Sequence, residues 1–344
     1  MGLGEDAMAA RAVISGTGSY APGDPIGNAE LKALAGIEFD AERMEARIGI
    51  RARHIARLRG LDESTVDFAE KASLQALAAA GVSADEVGLF IVATDTPEYV
   101  SPASGILLQG RLQKGESEAL AIDISSSCAS FVTALDLAAR KVASDPGLGK
   151  ALVVGVYNMP AHLRPGDTFG YSIFADGAGA VLLSRQEGPG ASGYVEGAFR
   201  ADGTQWDFVG VYTGGTRKPV TRELLDAGTY GLELLKKLPG DRNLKLWPPL
   251  VRRVLEKAGW KQDSIAHFIF TQINRSVIEE VMGVLGEPMS KTTTVMDRYG
   301  YTGSACVPMA LDEAVRSGRV KRGDAIVLVA SGAGLSVGAN LLVY

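Results

Sequence analysis

The sequence predicts a layered α/β protein. Segments alternate between short apolar runs of strand length and longer stretches whose apolar residues recur at helical spacing. The runs Leu89–Ala93, Ala151–Val156 and Ala325–Ala330 are unbroken, as in strands buried on both faces. The 42 glycines among 344 residues supply the turns that such a succession needs.

Taken in order, Ala12–Tyr20 opens the chain as a strand. Ser64–Ala80 reads as a helix, with Ser64 and Thr65 suited to capping and Val66, Ala69, Ala72, Leu74, Leu77 and Ala80 forming an apolar side. The strand Leu89–Ala93 is followed by a turn-rich stretch, Thr94–Ser104. Ala119–Ile124 is a strand leading to Cys128, and a helix then runs to about Ala143. After the strand Ala151–Val156, Phe174–Ser184 carries Asp176-Gly177-Ala178-Gly179-Ala180, small residues that let backbones approach closely. Gly and Pro interrupt Ser184–Gly193, dividing the chain into halves 1–186 and 187–344. Thr204–Lys218 reads as a long surface loop, Trp247–Ala258 as a helix and His267–Phe270 as a strand. Thr302–Gly318 is helical, Ala325–Ala330 a strand, Ser331-Gly332-Ala333-Gly334 a tight turn and Gly338–Tyr344 the last strand. Both halves end in strand, glycine turn and strand, which points to an internal duplication.

A net charge of −5 argues against a general nucleic-acid binder. No apolar run reaches the roughly 18 residues of a membrane span. Met1-Gly2-Leu3-Gly4-Glu5-Asp6 lacks the blocks of a secretion signal and the Ser or Thr of a myristoylation site. The 2 cysteines, Cys128 and Cys306, suggest no disulfide framework, so a cytoplasmic protein is expected, without a metal site. Arg43, Arg47, Arg51, Arg53, Arg57 and Arg59 run against the acidic balance. They form either a solvated face with scattered salt bridges or a patch that receives phosphates or an acidic carrier protein.

The stretch Ala121-Ile122-Asp123-Ile124-Ser125-Ser126-Ser127-Cys128-Ala129-Ser130-Phe131 holds the strongest chemical signal. A strand breaks at small polar residues, and a helical pattern begins one step after the cysteine. Unpaired N–H groups and the helix dipole favour negative charge there, so the Cys128 thiol is expected to ionise readily and act as a nucleophile. Inert packing is the other role of a cysteine in apolar surroundings, and position alone leaves both open.

The order of motifs resembles the ketoacyl synthase III branch of the thiolase superfamily. The matching segments are Gly49-Ile50-Arg51-Ala52-Arg53-His54, the strand ending at Cys128, Phe174-Ala175-Asp176-Gly177-Ala178-Gly179, Asp297-Arg298-Tyr299-Gly300-Tyr301-Thr302-Gly303-Ser304-Ala305, Leu311-Asp312-Glu313-Ala314 and Ser331-Gly332-Ala333-Gly334-Leu335-Ser336-Val337-Gly338. The resemblance implies a duplicated five-layer α/β/α/β/α thiolase fold, a homodimer, and a reactive cysteine at the end of a narrow tunnel. It also implies acyl transfer from coenzyme A or acyl carrier protein to Cys128, with the backbone N–H groups of Cys128 and Ala333 as the oxyanion hole. No cofactor is held; coenzyme A or phosphopantetheine carries the substrate. Asn274, with Gln272, falls in the segment that contacts the pantetheine arm, and Arg47 matches an arginine near the coenzyme A entrance.

Two family positions differ. Thr271, in Thr271-Gln272-Ile273-Asn274, stands where the family carries histidine, and Tyr301 stands where it carries asparagine. Those residues donate to the enolate oxygen formed when a malonyl group decarboxylates, and one lost donor typically costs roughly 3–4 kcal/mol. A cysteine-dependent acyltransferase without standard decarboxylation is therefore expected, in secondary metabolism or specialised lipid or polyketide synthesis. The other readings are a non-catalytic or partner-dependent subunit, paired with an active homologue, and a conventional synthase. Of the three histidines, His54 and His267 read as structural, whereas His162 lies in a loop within reach of a pocket mouth. Cys306 reads as core.

Overall fold

The computed structural model describes residues 10–188, 190 and 192–344, so the six N-terminal residues read above for a leader lie outside it. Strands β1 (Arg11–Tyr20), β2 (Leu89–Ala93), β3 (Leu120–Ile124), β4 (Lys150–Tyr157) and β5 (Gly177–Gln186) form a five-stranded sheet in the order β1-β5-β4-β2-β3. A four-stranded sheet follows from β6 (Gly193–Gln205), β7 (His267–Phe270), β8 (Ala325–Gly332) and β9 (Gly334–Val343), in the order β7-β8-β9-β6. In the first, β2 runs parallel to β4, which pairs antiparallel with β5, which pairs antiparallel with β1. In the second, β7, β8, β9 and β6 repeat that pattern in that order. The duplication suggested by the two glycine turns is thus a duplication of topology, with β3 added at one edge.

Six helices complete the layers: α1 (Thr65–Ala80), α2 (Ser104–Gln113), α3 (Ser130–Ser144), α4 (Arg242–Ala258), α5 (Arg275–Leu285) and α6 (Cys306–Arg316). One outer layer is α1 and α2 against the first sheet, and the other is α4 against the second, with α5 packed on α4. Helices α3 and α6 lie between the sheets and touch both. That position explains why Phe131, Val132, Ala134, Leu135, Ala138, Ala139 and Val142 are all buried on α3: a middle-layer helix needs apolar side chains nearly all round. Gly179 of β5 allows α6 to settle directly on the sheet, because a Cβ there would stand 2.6 Å from the Met309 nitrogen. The buried Asp312 of α6 is satisfied by β1, accepting from Thr17 Oγ1 at 2.8 Å and Ser19 Oγ at 2.6 Å.

Several local expectations change. Helix α2 starts at Ser104, where the turn-rich stretch ends, capped by the Asp123 carboxylate, which accepts from the Ser104 and Gly105 N–H groups at 2.8 and 2.7 Å. Part of the stretch read as the Thr204–Lys218 loop is strand, since Val209–Val211 pairs with Leu232–Leu234. Helix α4 begins at Arg242 rather than Trp247, and Pro248 and Pro249 lie inside it. Adjacent prolines normally mark a first helical turn; here the chain remains helical before them.

The arginine segment divides. Arg53 is fully buried and donates to Asn28 Oδ1 at 2.7 Å and to the Ser172 carbonyl at 3.1 Å. Arg59 forms a two-point pair with Glu30 at 2.6 and 2.9 Å. These are scaffold contacts, whereas Arg43, Arg47, Arg51 and Arg57 are exposed. The neighbouring buried Asp176 accepts from the Ala56 N–H at 2.8 Å and ties the segment to the start of β5.

With one donor facing it, burial pushes the Asp176 carboxyl up from 3.8 to about 8. The native state keeps a proton that the unfolded chain releases, so this group's contribution falls as pH rises from about 4 to about 8. Asp176→Asn is expected to flatten the decline of the urea-unfolding free energy between about pH 7 and pH 8, where histidine charging contributes little. The slope removed is at most about 1.4 kcal/mol per pH unit. An unchanged slope in urea titrations would mean that the carboxyl is ionised throughout.

Candidate active site

The site begins where two parallel strands end. Ala93 of β2 lies opposite Ile124 of β3, and Thr94 N–H continues the ladder to the Ile124 carbonyl at 3.0 Å. The two chains therefore leave the sheet side by side, one carrying Asp95 and the other Ser125 to Cys128. The carboxyl ends of parallel strands are the usual place for an α/β ligand site. Ser127 turns the second chain sharply by adopting φ +52°, a left-handed conformation that costs a non-glycine residue about 1–3 kcal/mol. Ser130 holds this turn: its N–H and Oγ both donate to the Ser127 carbonyl, at 2.9 and 2.5 Å, and its Oγ accepts from Ser126 N–H at 2.8 Å.

The second half supplies the opposite wall. Strands β8 and β9 form a hairpin around Ala333, and Gly332 meets the cysteine turn directly. A Cβ at Gly332 would lie 2.5 Å from the Ser126 oxygen and 2.9 Å from the Cys128 nitrogen. Only glycine permits this approach, which brings the Ala333 backbone beside Cys128. Between the walls is a cavity of about 280 Å3 that contains Cys128, Thr271, Asn274, Tyr301 and Ala333 among its lining residues. Its apolar surface includes Ile48, Met159, Phe169, Phe174, Leu232 and Val277.

The expected easy ionisation of Cys128 is corrected by its surroundings. Burial, with the Asp95 carboxylate as a further cause, pushes the thiol up to about 12. Cys128 is half-buried and lines the cavity. The N–H groups expected to support a thiolate are also occupied: Ala129 donates to the Ser126 carbonyl at 3.1 Å and Ser130 to the Ser127 carbonyl. Helix α3 itself starts only at Ser130, two residues beyond the cysteine. Hydrogen bonding from Tyr301, and from the Ser127 hydroxyl when it turns from Asp95 to the sulfur, works in the other direction and favours the thiolate.

Thr271 follows β7, is buried, and its Oγ1 accepts from the Ser331 N–H at 3.0 Å. Its own hydroxyl proton therefore faces a position other than Ser331. Tyr301 is buried against Phe174 and Tyr157, with ring centroids 5.6 and 6.4 Å away, and it lines the cavity with Cys128, to which its hydroxyl is electrostatically coupled. Asn274 caps α5, its Oδ1 accepting from Ser276 N–H at 3.0 Å. Gln272 does not join them. Its amide donates to the Phe270 carbonyl at 2.8 Å and accepts from Val295 N–H at 2.8 Å, so the expected substrate contact gives way to a loop-fixing role. Arg47 is exposed beside cavity-lining Ile48 rather than inside the cavity.

No histidine lines the cavity. His54 bonds to the Pro22 and Gly23 carbonyls at 3.2 and 3.0 Å and stacks on Tyr299; His267 meets Thr293 Oγ1 at 2.8 Å. His162 is outside the lining, and Cys306 is buried core. Sequence reasoning missed Asp95, Tyr157, Arg242 and Asn243, all of which face the cavity. Arg242 donates to the Gly332 carbonyl at 3.4 Å, while its buried Nε has no protein partner. The available signal for Asp95 was its place two residues beyond the end of β2; Arg242 had none of comparable strength.

Among the described residues, no helix is long and apolar enough to cross a membrane. Residues 122–203 match the family described as 3-oxoacyl-[acyl-carrier-protein (ACP)] synthase III, and residues 255–344 match its C-terminal part. A beta-ketoacyl-[acyl-carrier-protein] synthase III of Xanthomonas oryzae pv. oryzae is 38% identical over 340 residues, covering 96% of this chain and 98% of that one. The crystal structure of 3-oxoacyl-[acyl-carrier-protein] synthase III from Aquifex aeolicus VF5 superposes with a TM-score of 0.83 at 30% identity, covering 97% of this chain and 100% of that one. The priming beta-ketosynthase from the R1128 polyketide biosynthetic pathway gives a TM-score of 0.84 at 28% identity, covering 99% and 98%. With its thiolase fold and Cys128 facing the cavity between the two halves, this chain belongs to the 3-oxoacyl-[acyl-carrier-protein] synthase III family and is a KAS III-like condensing enzyme.

Proposed function

We propose that Cys128 accepts an acyl group from acyl-coenzyme A or acyl carrier protein and passes it to an acceptor without standard decarboxylation. The observation that carries this reading is a cavity with a cysteine nucleophile and no histidine, in which Thr271 and Tyr301 face the reacting sulfur's surroundings. The backbone N–H groups of Cys128 and Ala333 would stabilise the tetrahedral oxyanion. Tyr301 would donate to the sulfur or thioester oxygen, and Thr271 to a substrate oxygen. Neither reproduces the imidazole and amide donors used to stabilise a malonyl-derived enolate. Apolar walls would receive the acyl chain. Products in secondary metabolism, or specialised lipid or polyketide synthesis, fit this departure.

Asn274 keeps its amide donors available for a pantetheine arm, because its capping role uses only Oδ1. Arg43, Arg47 and Arg51 supply exposed positive charge beside the cavity segment that includes Ile48, which suits the phosphates of coenzyme A or an acidic carrier. Coenzyme A or phosphopantetheine acts here as the substrate carrier. A cytoplasmic homodimer is consistent with two free cysteines, the unpaired outer edge of β3 and nearby exposed apolar residues, including Tyr99, Val100 and Leu120.

Two measurements test the chemistry. Incubation with a panel of acyl thioesters should add one acyl mass to the wild type and none to Cys128→Ala by intact-mass spectrometry. No wild-type adduct, or an adduct retained without the thiol, refutes the transfer reading. Thr271→His with Tyr301→Asn should raise carbon dioxide release from malonyl thioesters by at least about tenfold, as two donors are restored. Efficient release by the wild type would instead assign conventional condensation to the native site.

A further inference from the structure

Asp95 gives the site an acid–base group from the first half of the fold. We propose that it is the proton acceptor for the nucleophile, acting through Ser127. Its Oδ2 accepts from Ser127 Oγ at 2.9 Å, and Ser127 Oγ is 3.8 Å from Cys128 Sγ. Asp95 Oδ1 is buried and has no protein hydrogen-bond partner. The chain of groups is therefore thiol, hydroxyl and carboxylate, ending at a carboxylate with acceptor capacity left over. The left-handed turn at Ser127 is what directs one hydroxyl toward both neighbours.

Burial raises the Asp95 carboxyl above its ordinary value, so it holds a proton more readily than a surface aspartate. Cys128 and Tyr157 are the titratable side chains whose charges couple to it; Tyr157 is itself held neutral by burial. No histidine competes for the role in this cavity. The scaffold contacts already described account for Asp123, Asp176 and Asp312, but none accounts for Asp95.

The inference rests on the acyl-transfer reading and completes its proton balance. As the Cys128 sulfur attacks the donor carbonyl, the thiol proton moves to Ser127 Oγ and the serine proton moves to Asp95 Oδ2. A new sulfur–carbon bond forms. Collapse breaks the donor carbon–sulfur bond, and the departing pantetheine thiolate takes the proton from Asp95 through Ser127. An acceptor hydroxyl or amine then uses the same route: its proton passes to Asp95 as its oxygen or nitrogen bonds to the acyl carbon. The Cys128 carbon–sulfur bond breaks, and the thiolate regains the proton. The transfer needs no external oxidant or reductant.

The test compares wild type, Asp95→Asn and Ser127→Gly, the last removing the hydroxyl while easing the left-handed backbone. Acyl loading is followed by intact mass, and Cys128 alkylation by iodoacetamide, from about pH 5 to about pH 9, with thermal unfolding as the check on folding. Both variants should load acyl groups at least about 100-fold more slowly near neutral pH. The alkylation profile of Asp95→Asn should shift to lower pH, because a carboxylate no longer opposes thiolate formation. Slower loading with this opposite shift in alkylation is a pairing that simple loss of structure does not produce. Undiminished loading, or alkylation profiles that superimpose, overturns the proposal. If the wild type loads no acyl group, the transfer reading falls separately, and superimposed or shifted alkylation profiles still decide whether Asp95 is coupled to the thiol.

Discussion

The backbone contact between Gly332 and the Cys128 turn is the constraint around which the active site is arranged. It joins an element of the second sheet to an element of the first at a separation too small for a side chain. The middle helices make that contact possible: α3 begins at the cysteine turn, while α6 lies directly against Gly179. A single well-packed middle layer thus fixes the distance between a nucleophile from one repeat and a glycine hairpin from the other. The surrounding side chains can vary without moving either backbone.

That separation of roles clarifies the chemistry at Thr271 and Tyr301. Each is held by backbone contacts independent of its side-chain function: Thr271 N–H reaches the Val329 carbonyl at 3.0 Å, and Tyr301 N–H reaches the Ile173 carbonyl at 2.9 Å. Both side chains therefore project from backbone positions fixed by the sheet and the neighbouring loop. The electrostatic setting is also uneven, with Asp95 on one side of Cys128 and Arg242 contacting the Gly332 carbonyl on the other. Burial makes both charges harder to sustain and their hydrogen-bond partners more consequential.

Strands with continuous apolar runs were legible in the sequence because their patterns express burial directly. β2 and β7 occupy the same residues as their sequence assignments, and α1 differs only at its capping residue. The cysteine turn was also legible, but the thiol's resistance to ionisation was not. Local order identifies a helix start; it does not reveal that Ala129 and Ser130 give their N–H groups to the preceding turn. Gln272 was misplaced for a related reason, since adjacent residues leaving a strand can face a cavity or a loop core. Asp95 and Arg242 required tertiary proximity across long sequence separations, which neither periodicity nor composition encodes.

The raised thiol at Cys128 has a consequence for durability. Peroxide and other oxidants attack the thiolate, and oxidation beyond sulfenic acid is generally not reversed. A neutral, half-buried sulfur is a poor target for that damage. The same features that withhold nucleophilicity from the free thiol therefore preserve the sulfur to which we assign acyl transfer.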